Sequence, residues 1–146
     1  MTRVHFYHLG GGLDTASLVV AKLIQHALRR RQDCLVRLPG AAGAEPLGAA
    51  IGGLALAPFH SGDRVDPAVS INLCWGDDPG HHHGLLVNLA PGIAPWFSRF
   101  ERLAELVYDQ PGLIADRRAA YRFYRDRGYP LHYSDLSRDL DLLHSA

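Results

Sequence analysis

Residues 4–38 read VHFYHLGGGLDTASLVVAKLIQHALRRRQDCLVRL, and this stretch decides the fold. Residues 4–9 are a short β-type run, broken by Gly10, Gly11 and Gly12, and Asp14 or Thr15 can cap the helix that follows. From residue 16 to 31 the apolar positions Ala16, Val19, Val20, Leu23, Ile24, Ala27 and Leu28 recur at helical spacing. Arg29, Arg30 and Arg31 suit the negative end of that helix dipole. Residues 34–38 form a second apolar strand. Residues 3–38 are therefore a β-α-β unit whose two strands are expected to be parallel.

Working outward, residues 39–67 are rich in Gly, Ala and Pro and nearly empty of charge, with one short helix expected near residues 47–51. Residues 69–75 and 85–89 read as interior strands, apolar runs bounded by turn signals at Gly76, Pro79, Gly84 and Pro91. Residues 96–108 fit two readings. Phe97, Phe100, Leu103, Ala104 and Val107 have helical spacing, while residues 103–108 equally make a strand. After Pro111 a helix runs from Gly112 or Leu113 to Arg127 and stops at Gly128, in the usual C′ position. Strands alternating with helices predict a three-layer α/β domain with a mostly parallel sheet, one domain over residues 1–146.

Composition narrows the function. In 146 residues, 47% hydrophobic content suffices for a core without metal or disulfide staples. Fifteen Lys plus Arg balance fifteen Asp plus Glu, so no global positive field exists and direct, tight nucleic-acid binding is disfavoured. Cys34 and Cys74 lie in apolar runs without zinc or redox spacing and read as buried free thiols in a reducing cytosol. The N-terminus has no signal-peptide pattern and no apolar run approaches the roughly 18 residues of a spanning helix, so a cytoplasmic location without membrane insertion is expected.

The turn Gly10-Gly11-Gly12 sits where a nucleotide-binding enzyme of the dinucleotide type would place its phosphate loop. It is neither G-x-G-x-x-G nor a Lys-bearing P-loop, and Asp14 puts a negative charge where phosphate would dock. A plain tight turn is the favoured reading. His81, His82 and His83 follow Asp77, Asp78 and Pro79, but three consecutive histidines rarely converge on one tetrahedral site, and a solvated loop is favoured over a metal centre. His60 reads as a packed loop residue. Asp63, Asp66, Asp77 and Asp78 occur in turn-like segments, where their usual work is Asx turns. No strained nucleophile, partnered base or paired carboxylate announces itself, so neither a catalytic residue nor a cofactor is expected.

The last helix is more informative. Ile114, Arg118, Tyr121 and Arg125 recur at spacings of four, three and four and share one stripe, while Leu113, Ala120 and Tyr124 occupy a neighbouring stripe suited to the core. Two arginines flanking an aromatic on a helix are commonly a solvated face. They are also the chemistry of a pocket for an acidic peptide with an apolar anchor, because guanidinium forks take carboxylates bidentately and a ring offers a packing wall.

Three segments resemble one known family, the chi subunits of bacterial DNA polymerase III. VHFYHL, a small-residue turn and LVVAKLIQHAL are similar to that family's opening strand and first helix. GLLVNLAPGIAPWFSRFERLAELV is similar to its N-L strand, R-F-E-R segment and acidic-apolar run. RRAAYRFYRDRGYPLHYSDL is similar to its Arg-rich helix closing on R-x-x-G-Y-P-L. The resemblance implies a Rossmann-like fold without catalytic activity, bridging the clamp-loader assembly to single-stranded-DNA-binding protein by holding that protein's acidic C-terminal tail. A psi subunit, where one exists, is the second implied partner.

Carried over by position, Arg118 takes the tail's terminal carboxylate, Tyr121 walls the apolar pocket, Arg125 attracts the upstream acids, and Gly128, Tyr129 and Leu131 shape the pocket's edge. Two departures stand out. Ile114 replaces a basic residue that some members carry one turn before Arg118, and the family's L-W before F-x-P-H appears as Ile51-Gly52 before Ala57-Pro58-Phe59-His60. The second departure bears on psi contacts through residues 45–60.

Overall fold

The computed structural model describes residues 1–54 and 57–137. Among these residues seven strands, β1 (Arg3–His8), β2 (Cys34–Arg37), β3 (Phe59–Gly62), β4 (Ile71–Cys74), β5 (Leu85–Asn88), β6 (Arg102–Val107) and β7 (Leu131–Asp135), form one sheet. Its order is β3-β4-β2-β5-β6-β1-β7, and every neighbouring pair is parallel. Among the described residues three α-helices cover it: α1 (Leu13–Arg29), α2 (Ala44–Gly53) and α3 (Leu113–Asp126). The expected α/β class with a parallel sheet is thus the observed one. The two strands of the β-α-β unit are parallel as expected, with β5 and β6 lying between β1 and β2 in the sheet.

The topology dictates which face each helix takes. From β1 the chain steps to β2 and β3 in one direction along the sheet, then returns and passes β1 to reach β7. Right-handed crossovers place helices of opposite steps on opposite faces. Leu47 and Ile51 of α2 accordingly share a core with Val19, Val20, Leu23 and Ile24 of α1. Ala120 and Tyr124 of α3 pack instead with Phe6, Phe97, Phe100 and Leu103.

Helix boundaries depart from expectation at both ends of α1. Neither Asp14 nor Thr15 caps it: the cap position is Gly12 and no side chain bonds the free amides there, leaving Asp14 inside the first turn. The helix also stops before Arg31, which takes a left-handed φ of 58°. Gln32 N–H donates to Ala27 O and Arg31 N–H to Leu28 O, both at 3.0 Å. This is the doubled bonding of a Schellman stop, built here on Arg at a position that usually holds glycine. Helix α3 ends by the same device at the expected residue: Gly128 has φ 77°, with Tyr129 N–H on Tyr124 O and Gly128 N–H on Arg125 O.

The ambiguous residues 96–108 divide into a single 3-10 turn, Phe97–Arg99, and strand β6. The short helix expected near residues 47–51 extends over Ala44–Gly53. His60 belongs to strand β3, not to a loop, and its Nε2 lies 3.1 Å from Arg64 O. Cys34 and Cys74 are buried free thiols, as expected. Asp66 and Asp78 make the expected Asx turns, accepting from Ala68 N–H and Gly80 N–H at 2.9 Å.

Candidate functional site

Helix α3 presents a core stripe and an outer stripe, as its sequence spacing predicts. Leu113, Ala120 and Tyr124 are buried, whereas Ile114 is 47% exposed and Arg118 and Arg125 are exposed. Arg117 is the surprise of the helix, a guanidinium only 2% exposed. Its Nε donates to Leu106 O at 3.0 Å, Nη2 to Asn88 O at 3.2 Å, and Nη1 to Asp116 Oδ2 at 2.8 Å. It spans three elements and has little left to give a ligand.

Beneath it lies Glu105 of β6, fully buried, accepting from Asn88 Nδ2 and from Tyr124 Oη at 2.7 Å each. Burial pushes the Glu105 pKa upward, and the Arg117 guanidinium and the two donors oppose it. This polar network fixes α3 on the sheet. The position of Arg117 carried a readable signal, since it falls on the core stripe between Leu113 and Ala120.

On the outer side, α3, β1 and β7 enclose a cavity of about 420 Å³. Phe6 and Tyr133, partners in the β1–β7 register, stack with centroids 6.5 Å apart. Tyr121 reaches down from α3 to within 5.3 Å of Phe6 and 6.4 Å of Tyr133, closing an aromatic box. Tyr133 Oη and His8 Nδ1 are 2.7 Å apart. The pKa of Tyr133 is raised by burial and by Asp135, against the pull of Arg118, so the phenol stays neutral. Arg118, Arg122 and Arg125 line the mouth. Arg125 bonds Asp126 Oδ1 at 3.2 Å, while Arg118 and Arg122 have no ion-pair partner among the described residues.

The structure therefore brings Ile114, Arg118, Tyr121 and Arg125 together around one cavity and adds Phe6, Arg122 and Tyr133, which sequence reasoning missed. Gly128, Tyr129 and Leu131 do not line it. Gly128 ends the helix, Tyr129 packs 5.1 Å from Phe97 and 6.2 Å from Tyr124, and Leu131 begins β7 opposite Val4. Phe6 and Tyr133 escaped notice because only the β1–β7 pairing makes them neighbours, and β7 has no strong strand signature.

The glycine turn has its own explanation. A Cβ on Gly10 would meet Ser137 O at 2.9 Å, so the chain leaving β7 passes directly over the place where a phosphate loop would open. Asp109 N–H donates to Gly11 O at 2.9 Å, tying the turn to the end of β6.

The His81–His83 segment requires a correction. His81 and His83 are exposed, but His82 is only 1% exposed, which a solvated loop would not give. Its Nδ1 lies 3.0 Å from Asp33 Oδ2, and Asn72 Nδ2 donates to its Nε2 at 2.7 Å. Burial lowers the His82 pKa against the raising influence of Asp33. Among the described residues no group of three His, Cys, Asp or Glu side chains could hold a metal ion, and no helix is long and apolar enough to cross a membrane.

An all-parallel sheet, a glycine turn covered by its own chain and a cationic, aromatic cavity on the outer helix define an α/β protein whose prominent site suits an acidic, ring-bearing ligand. Residues 1–132 match the family model described as DNA polymerase III chi subunit, HolC, and the chain belongs to that family. It is 37% identical over 145 residues to the DNA polymerase III subunit chi of Pseudomonas aeruginosa, an alignment covering 94% of this chain and 99% of that relative.

Proposed function

We propose that this chi subunit is a non-catalytic accessory protein of the clamp-loader assembly, tethering it to single-stranded-DNA-binding protein by that protein's acidic C-terminal tail. The observation that carries this reading is the aromatic box of Phe6, Tyr121 and Tyr133 rimmed by Arg118, Arg122 and Arg125. A tail ending in an aromatic residue with a free carboxylate needs both parts. The ring fills the box, Arg118 takes the carboxylate with a guanidinium that no described residue pairs, and Arg122 and Arg125 attract the acids upstream. Gly128, Tyr129 and Leu131 act at a remove. By ending α3 and starting β7 they set the position of Tyr133 and hence the cavity's edge.

A psi subunit is the second partner of this reading, through residues 45–60. That stretch includes exposed Phe59, and Ala55 and Leu56 within it lie outside the described residues. With Gly52 where the family carries Trp, the psi contact should be weaker than the tail contact.

Fluorescence anisotropy with labelled single-stranded DNA, bare and coated with its binding protein, tests the tether. The coated strand should bind more tightly, and coating with a tail-deleted binding protein should remove the gain. Equal affinity for all three would refute the tether.

A further inference from the structure

The zero net charge conceals a separation of charge along the edge of the sheet where the parallel strands begin. Arg3 opens β1, Arg102 opens β6, and the two are register partners. Like charges set side by side on adjacent strands repel. Arg30, just past the end of α1, joins them from the helix layer. Among the described residues none of the three has a salt bridge or side-chain hydrogen bond.

All three line both of two adjoining cavities, of about 320 and 500 Å³. Among the described residues no carboxylate lines the first. Glu101 lines the second, but its Oε2 already accepts from Gln32 Nε2 at 2.8 Å. Imidazoles add flat faces: His5 stacks on Tyr7 at 4.1 Å with rings 7° from parallel, and exposed His132 lies 5.7 Å from His5.

We infer that this groove is a contact site for the phosphate backbone of single-stranded nucleic acid, with the exposed His132 ring available for stacking. Guanidiniums that line two successive cavities suit a run of phosphates better than one compact anion, and ring faces beside cations are the recurring chemistry of single-strand grooves. Burial, and then the neighbouring His132 and Arg102, lower the His5 pKa to about 4.

The groove lies across β1 from the α3 cavity, because alternate β1 side chains point to opposite faces. His5 and Tyr7 line the groove while Phe6 and His8 line the cavity. A tail held by α3 and a strand held here do not compete. The inference goes beyond the tether reading and does not depend on it.

The test is anisotropy of a labelled oligothymidylate with the full chain at low salt. We expect saturable binding that weakens roughly 20-fold between about 50 and 200 mM salt, the response of some three neutralised phosphates. The exposed pair Arg3→Gln and Arg30→Gln together should lose at least about tenfold at low salt, as expected for removal of two phosphate contacts. The same variant should titrate a Pro-Phe-ended peptide like the parent, which also reports that it is folded. In the parent, NMR signals of His5 and His132 should move on adding the oligomer.

Four results would overturn the groove: no saturable binding by the parent, unchanged binding by the double variant, an equal loss on changing Arg118 and Arg122 to Ala, or displacement of the oligomer by thymidine monophosphate at equal phosphate concentration. Competition by the acidic peptide at His5 and His132 would reassign the groove to a protein ligand.

Discussion

Tyr124 donates its hydroxyl to Glu105 across 2.7 Å, joining the core stripe of α3 to the middle of β6 where neither group meets solvent. The phenol pKa is pushed far up by burial and by Glu105 itself, so the hydroxyl remains a donor at any working pH. Tyr124→Phe keeps the ring but leaves Glu105 Oε2 without its donor. Stability should fall by about 1–3 kcal/mol, the cost of an unsatisfied buried acceptor. For a chain of this size that is a drop of roughly 3–10 °C in Tm by differential scanning calorimetry. A Tm equal to the parent's would mean that Glu105 is satisfied without Tyr124.

Arg117 and Arg118 are adjacent in sequence and should differ in kind. Arg117→Ala strands buried Glu105 without its cation and frees two main-chain carbonyls, so a loss of about 3–5 kcal/mol in urea unfolding is expected. Arg118→Ala should unfold like the parent yet weaken binding of a Pro-Phe-ended peptide by about 1.5–3 kcal/mol in isothermal titration. Arg125→Ala should cost less, and its effect should fade with salt, because this side chain is exposed and already bonded to Asp126. If amidating the peptide's terminal carboxylate changes nothing, Arg118 does not play the part assigned to it.

No mono- or dinucleotide should bind at the turn of Gly10, Gly11 and Gly12. It lacks a Lys, carries Asp14 in the first turn of α1, and is overlain by Ser137. A thermal-shift screen with ATP and NAD should show no stabilisation at about 0.1 mM, a typical cofactor range. Saturable binding there would revive the dinucleotide-enzyme reading.

His5 should titrate near pH 4, against an ordinary 6.5, when followed by its ring proton shifts. Burial is the largest cause, then His132, then Arg102. Because the folded-state value is the lower one, protons bind the unfolded chain more readily. The group's contribution to stability is complete above pH 6.5 and is lost as pH falls towards 4. His5→Asn should flatten that acid limb, and Arg102→Gln should raise the His5 value. A His5 midpoint at 6.5 would contradict the crowded cationic setting described for β1.

What the sequence disclosed followed from one-sided burial. Helices α1 and α3 each carry an apolar stripe at helical spacing, and β4 and β5, covered on both faces, are buried throughout and apolar but for Asn72 and Asn88. The two edge strands were missed for the converse reason. FHSG in β3 and LHYSD in β7 each pair with one neighbour and hold no fully buried residue, so composition gives no apolar run to read. His82 was beyond reach because its burial depends on Asp33 and Asn72, which only the fold brings to it. The outer stripe of α3 was legible, but its floor was not. Phe6 and Tyr133 become a box only through the β1–β7 register.

A helix resting on a sheet can roll about its axis like a log on a floor, and a small roll would sweep its outer residues across the surface. The guanidinium of Arg117 acts as a key in a slot, held by the carbonyls of Asn88 and Leu106 from two different strand ends. A roll would have to break both bonds in a buried place. Arg118, Tyr121 and Arg125 therefore keep a constant bearing whether or not a partner is present. The orientational freedom that a loose helix would lose at encounter is already lost when the chain folds, which favours slow release once a ligand has seated.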